Sequence, residues 1–88
     1  MFEFDPKKSD LNKTKHGIDF EEAKELWNDS SAIVVPAYFE TEQRFRLIGK
    51  IDTKYWTAIF TYRDQKIRII SVRRSRKNEK EYYHSGRI

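Results

Sequence analysis

Ile67-Arg68-Ile69-Ile70-Ser71-Val72-Arg73-Arg74-Ser75-Arg76-Lys77-Asn78-Glu79-Lys80-Glu81-Tyr82-Tyr83 carries an apolar strand straight into a polar helix, with no Gly or Pro at the join. The strand is read over Lys66 to Arg73 and the helix from Ser75 to about His84, with Gly86 beyond it. Ile69-Ile70 breaks the period of two, as expected of a central strand covered on both faces. Five basic residues, Arg68, Arg73, Arg74, Arg76 and Lys77, crowd the junction. Like charges repel unless something anionic sits among them, so the junction marks where a partner is expected.

Two alternating segments precede it. In Arg44 to Ile51, Phe45, Leu47 and Ile51 fall on one side and Arg44, Arg46 and Lys50 on the other. In Tyr55 to Tyr62, Trp56, Ala58, Phe60 and Tyr62 oppose Tyr55, Thr57, Ile59 and Thr61. Asp52-Thr53 and Asp64-Gln65 read as tight turns. Ala32 to Tyr38 is a further strand, with Pro36 favouring an edge. Upstream, Phe2-Glu3-Phe4 suggests a short strand. Asp5-Pro6 opens a polar helix that Gly17 stops. Asp19 and Glu22 form a capping-box pattern before Phe20, Ala23, Leu26 and Trp27, which share one helical face.

The order is β-α-α-β-β-β-β-α in one small domain spanning residues 1–88. The expected class is α+β: a mainly four-stranded antiparallel meander, a short N-terminal strand, two N-terminal helices and one C-terminal helix. The helices should pack on the Trp56/Phe60 side.

Composition narrows the function. Charged residues are 36% of the chain, and no apolar run approaches a membrane span. The first residues lack the pattern of a secretory leader, so a cytoplasmic protein is expected. No cysteine is present, which excludes disulfides and thiolate metal sites. The net charge of +4 is unevenly spread. Residues 1–62 hold nine Lys/Arg and eleven Asp/Glu, 9 − 11 = −2, whereas residues 63–88 hold nine and three, 9 − 3 = +6. A basic segment of that kind suits phosphates or an acidic protein.

No Gly-rich phosphate loop, zinc-ligand spacing or nucleophile elbow is present. An enzyme on this chain is therefore expected to work without metal or cofactor. Arginines suit phosphate binding, and aromatics suit stacking on unpaired bases. Cleaving RNA requires the 2′-hydroxyl to lose a proton and attack phosphorus, positive charge on the phosphorane oxygens, and an acid for the leaving 5′-oxygen. Arg63, Arg68 and Arg73 are candidates for the phosphate, and Glu79, His16, Tyr83 or His84 for the protons.

The chain resembles the BrnT-type toxins of bacterial type II toxin–antitoxin systems, within the RelE/ParE-like group of small RNases. The resemblance lies in Phe4-Asp5, Lys8, Asn12, Lys15-His16-Gly17-Ile18, Phe20-Glu21 and Ala23; in Arg44 and Ile48-Gly49; and in Tyr62, Arg63, Ile67-Arg68-Ile69-Ile70-Ser71, Arg73, Glu79 and Tyr83. Ser75 departs from the alanine frequent there. The resemblance implies a RelE-like fold and a metal-independent RNase that blocks translation. It also implies a cognate ribbon-helix-helix antitoxin of the BrnA type in a heterotetramer, which reads promoter DNA through the antitoxin. On this reading Arg73, Arg68, Arg63, Glu79, His16 and Tyr83 form the catalytic set. Lys15, Arg74, Arg76, Lys77, Arg44 and Arg46 contact RNA.

Each residue also has a plainer reading. Arg68 and Arg73 are five apart, so on a regular strand they face opposite sides; only a bulge or twist brings them together. Glu79 and Tyr83 stack at i, i+4, with Glu79 suited to orienting an arginine. Lys15 and His16 are favoured at a helix C-terminus by the dipole alone, although imidazole also exchanges protons near neutral pH. A non-catalytic RNA- or antitoxin-binding module of the same fold is the competing reading.

Overall fold

The computed structural model describes residues 1–86. Strand β1 (Phe2–Glu3) leads into helix α1 (Pro6–His16). Asp5 accepts from the backbone N–H of Lys7 as N-cap, Pro6 opens the helix, and Gly17 closes it at φ 85°. Helix α2 (Phe20–Ala23) has the full capping box: Asp19 accepts from the Glu22 N–H and Glu22 from the Asp19 N–H. It tightens at once into a 3₁₀ turn, Lys24–Asn28, so the second helix is shorter than the apolar spacing suggested. Strands β2 (Ile33–Ala37), β3 (Arg44–Ile51), β4 (Lys54–Arg63) and β5 (Lys66–Arg74) follow, then helix α3 (Lys77–Ser85).

The sheet order is β1-β5-β4-β3-β2. From β2 to β5 all pairing is antiparallel, but β1 lies parallel to β5, with Phe2 opposite Ile67 and Glu3 opposite Arg68. The sheet is therefore mixed and five-stranded, not a meander alone. Parallel pairing needs a long crossover, and everything from α1 to β4 supplies it. Pro36 sits on the edge strand β2, where no N–H is missed. The β3–β4 and β4–β5 hairpins have two-residue turns. Asp64 and Gln65 take φ of 52° and 66°, the mirror-image turn that matches strand twist.

One face of the sheet holds the main core. Ile18, Phe20, Ala23 and Leu26 from the helical layer pack on Leu47, Trp56, Ala58, Phe60, Ile69 and Val72. Gly49 lets the 3₁₀ turn approach β3: a Cβ there would come within 3.2 Å of the Leu26 and Leu47 side chains. Past the end of β1, buried Asn12 takes over the open edge of β5. Its amide accepts from the Val72 N–H and donates to the Val72 carbonyl, as a strand would, and also donates to the Ile18 carbonyl. This fixes α1, and with it Lys15 and His16, beside β5.

Two features differ from the alternation read in the sequence. First, the β4–β5 register slips: Ile59 pairs with Ser71 but Phe60 pairs with Ile69, leaving Ile70 as the extra residue of a β-bulge. The loss of alternation at Ile69-Ile70 is this bulge, not two-sided burial. It lets Ile69 and Val72, three apart, both enter the same core. Second, α3 packs on the other face of the sheet, over Thr57 and Ile48, both fully buried. It also starts at Lys77, two residues later than expected, because β5 runs to Arg74.

Candidate nucleic-acid interface

The bulge decides where the arginines point. Directly paired residues share a face. Arg73 pairs with Thr57, Ser71 with Ile59, and Arg68 with Thr61. Thr57 in turn pairs with Ile48 and Ile59 with Arg46. Arg46, Arg68 and Arg73 therefore share the face away from the main core, and the period of two adds Arg44 and Arg63. The expectation that Arg68 and Arg73 oppose each other is corrected: Ile70 absorbs one residue and turns both to one side.

Five guanidinia on one face need carboxylates, and three supply them. Glu79 on α3 is completely buried and accepts five hydrogen bonds. Arg73 grips it with two parallel bonds of 2.8 and 2.9 Å, and Arg46 adds one of 2.9 Å. The Thr57 hydroxyl and the Arg76 backbone N–H complete the set. Burial pushes this carboxyl up, but the Arg73 fork, the Arg76 N–H and the Thr57 hydroxyl outweigh it. The result is a pKa of about 2 against an ordinary 4.5. A carboxylate so low and so enclosed orients arginines; it does not collect protons at neutral pH.

At the opposite end Glu42 holds Arg44 at 3.0 Å and Arg63 at 3.6 Å, and Arg63 is half exposed. Level with Arg44 and two strands away, Arg68 pairs with Glu3 at 3.2 Å. A guanidinium has five N–H donors. Arg73 uses three of them, two on Glu79 and one on the Arg74 carbonyl, whereas Arg68 uses one. Arg68 thus keeps more hydrogen-bonding capacity for a ligand.

Lys15 and His16 close α1 beside the bulge. With Lys8, Leu11, Ile70 and Ser71 they line an open depression of about 200 Å³. Ser71, between Arg68 and Arg73 along β5, is the link from the arginine face to this corner. Ser71 enters the sequence reading only within the Ile67-to-Ser71 resemblance, with no role of its own; its place depends on the bulge.

The remaining candidates lie elsewhere. Arg74 points to the other side, donates to the Tyr55 carbonyl and sits 5.4 Å from the Trp56 ring. Arg76 and Lys77 are exposed at the start of α3. Tyr83 donates to Asp29, and burial together with that bond raises its pKa. His84 Nε2 and the Tyr55 hydroxyl are 3.1 Å apart. Tyr83 and His84 both meet the Tyr55 ring, and none of these residues lines the depression beside Ser71. Among the described residues, no group of three or more His, Asp or Glu side chains gathers where it could hold a metal ion. No helix among them is long and apolar enough to cross a membrane.

A small α+β domain with an arginine-lined sheet face, its charges set by acidic partners, is the class these observations define. Residues 4–79 match the family model described as the ribonuclease toxin, BrnT, of type II toxin–antitoxin system, and the chain belongs to that family. The family makes it a ribonuclease toxin with an antitoxin partner. Comparison with curated proteins gives no match.

Proposed function

We propose that the arginine face is the RNA site of a metal-independent endoribonuclease, with the scissile phosphate over the Arg68–Ser71–Arg73 strip. The observation that carries this reading is the bulge at Ile70, which turns both arginines to one side and leaves His16 at its edge. Arg68 holds the phosphate with its free donors. Arg73, clamped by Glu79, adds fixed positive charge where the phosphorane oxygens develop theirs. His16 takes the proton of the 2′-hydroxyl, the 2′-oxygen attacks phosphorus, and the bond to the 5′-oxygen breaks. That oxygen takes a proton from solvent, leaving a 2′,3′-cyclic phosphate and a 5′-hydroxyl. Lys15 and Arg46 add to the field.

The wider reading follows the resemblance. The 88-residue chain is a single RelE-like domain acting in the cytoplasm and stopping translation. A BrnA-type ribbon-helix-helix antitoxin neutralises it in a heterotetramer, and promoter DNA is met only through that complex. RNA incubated with the purified protein in EDTA tests the core of this. Cleavage is expected, with 5′-hydroxyl ends, and none where the nucleotide 5′ to the cut lacks its 2′-hydroxyl. Arg68→Ala should lower the rate by about 10²-fold, as for other donors to a developing oxyanion. RNA binding without cleavage, with wild type and Arg73→Ala equally harmless on expression in bacteria, returns the chain to a binding module.

A further inference from the structure

The loop joining β2 to β3, residues 38–43, leaves two neighbouring aromatic rings in solvent: Tyr38 is 88% exposed and Phe39 44%. Exposed aromatics are ordinary, but Phe39 borders the arginine face. The Arg44 guanidinium lies 3.5 Å from the centroid of the Phe39 ring, at stacking distance. Arg44 gives its Nε–H to Glu42, and among the described residues its terminal nitrogens have no other hydrogen-bond partner. The plate is thus one open ring face, backed by a cation with donors to spare. Arg63 stands beside it on the same Glu42.

From these contacts we infer that Phe39, backed by Arg44, is a nucleobase-stacking subsite for single-stranded RNA. Unpaired bases stack on aromatic rings and on guanidinium planes, and here the two are already assembled. The register places it. Arg44 lies across β4 from Arg68, two strand spacings away, roughly 10 Å. A nucleotide next to the scissile phosphate reaches that far while its phosphate meets Arg63. The subsite rests on the RNA reading above and deepens it: the phosphate strip is blind to sequence, and a stacked base flanking the cut gives a means of selecting one.

The test separates the two claims. The probe is a 2′-O-methyl RNA hexamer, which has no nucleophile and stays intact, together with the same hexamer made abasic. Phe39→Trp keeps a ring and reports by fluorescence as the difference from the unsubstituted chain, whose Trp56 is buried and whose Trp27 packs against the core. Saturable quenching by the hexamer, absent with the abasic form, is expected. Phe39→Ala should bind the hexamer about tenfold more weakly yet leave abasic binding unchanged, whereas Arg68→Ala should weaken both. In cleavage assays Phe39→Ala should raise KM with little change in kcat, and Phe39→Trp should restore it. If Phe39→Ala leaves hexamer binding untouched while Arg68→Ala lowers it, the subsite is overturned and the phosphate strip stands. If Phe39→Ala weakens only antitoxin binding, the rings are a protein contact and the inference fails. Binding by neither probe overturns both.

Discussion

The arginine face has two ends built from the same parts, two arginines and one glutamate, and they behave as opposites. At the α3 end the Glu79 side chain has no exposure, and Arg46 and Arg73 lie within 2.9 Å of it. At the loop end Glu42 is 28% exposed, Arg63 stands 3.6 Å away and half of it faces solvent. The chemistry is shared; the burial is not. A buried carboxylate must have its partners, so the first clasp is structural and fixes the direction of its arginines. A solvated one gains little from its partners, so the second can release them to a ligand. One face thus combines rigid charge with exchangeable charge, and the bulge at Ile70 turns Arg68 onto it.

The sharpest way to break this arrangement is to give the bulged residue a partner across the ladder. Inserting one alanine between Ile59 and Phe60 gives Ile70 a partner, restores a regular β4–β5 ladder and turns one half of β5 over. Either Ile69 leaves the core while Arg68 enters it, or Val72 and Arg73 exchange in the same way. We expect loss of native structure altogether, seen as loss of near-UV circular dichroism and of a cooperative urea transition. A folded insertion variant would mean that the two ends do not depend on a common face.

Glu79→Gln is the next largest. It leaves Arg46 and Arg73 facing a neutral amide and should cost about 3 kcal/mol, read from the urea midpoint at neutral pH. The same variant carries a pH signature. Glu79 holds its proton less readily folded, at about 2, than at its ordinary 4.5. Its stabilisation is therefore complete above pH 4.5 and lost as the pH falls from 4.5 toward 2. The gap between wild type and variant should be full at about pH 6 and narrow steadily below about pH 4. A gap independent of pH would show that packing of α3, not the charged clasp, holds that end.

How much of this was written openly in the chain depends on how local each signal is. The caps Asp5, Gly17, Asp19 and Glu22 act on residues within a few positions, and α1 begins and ends where they indicate. The alternation in β3 and β4 is equally local and assigned both faces correctly. The bulge is not local. The bulge leaves one trace, the lost alternation at Ile69-Ile70, which a strand covered on both faces shows equally. It exists because Phe60 must meet Ile69 while Ala58 meets Val72, and those demands arise across strands. The parallel place of β1 and the strand-like bonds of Asn12 likewise depend on partners some 60 residues away. Glu79 could be suspected of orienting an arginine from its type and place in the helix. That it would bind Arg46, 33 residues earlier, could not, since α3 was expected to join the other helices.

Glu42→Ala should have the smallest effect on the fold and is the most informative about use. Its ion pairs are partly exposed, so the urea midpoint should move by no more than about 0.5 kcal/mol. RNA binding should change in the opposite sense from every arginine variant. With the competing carboxylate gone, Arg44 and Arg63 are free for phosphates, and affinity for a single-stranded oligonucleotide should rise a few-fold at low salt. Each arginine that engages a further phosphate releases a counterion and steepens log Kd against log salt by about 0.7. Titration at several salt concentrations measures both. A steeper slope with unchanged stability marks the loop end as exchangeable charge. An unchanged slope with weaker binding would mean that Glu42 positions its arginines as Glu79 does. The two ends would then differ in burial but not in purpose.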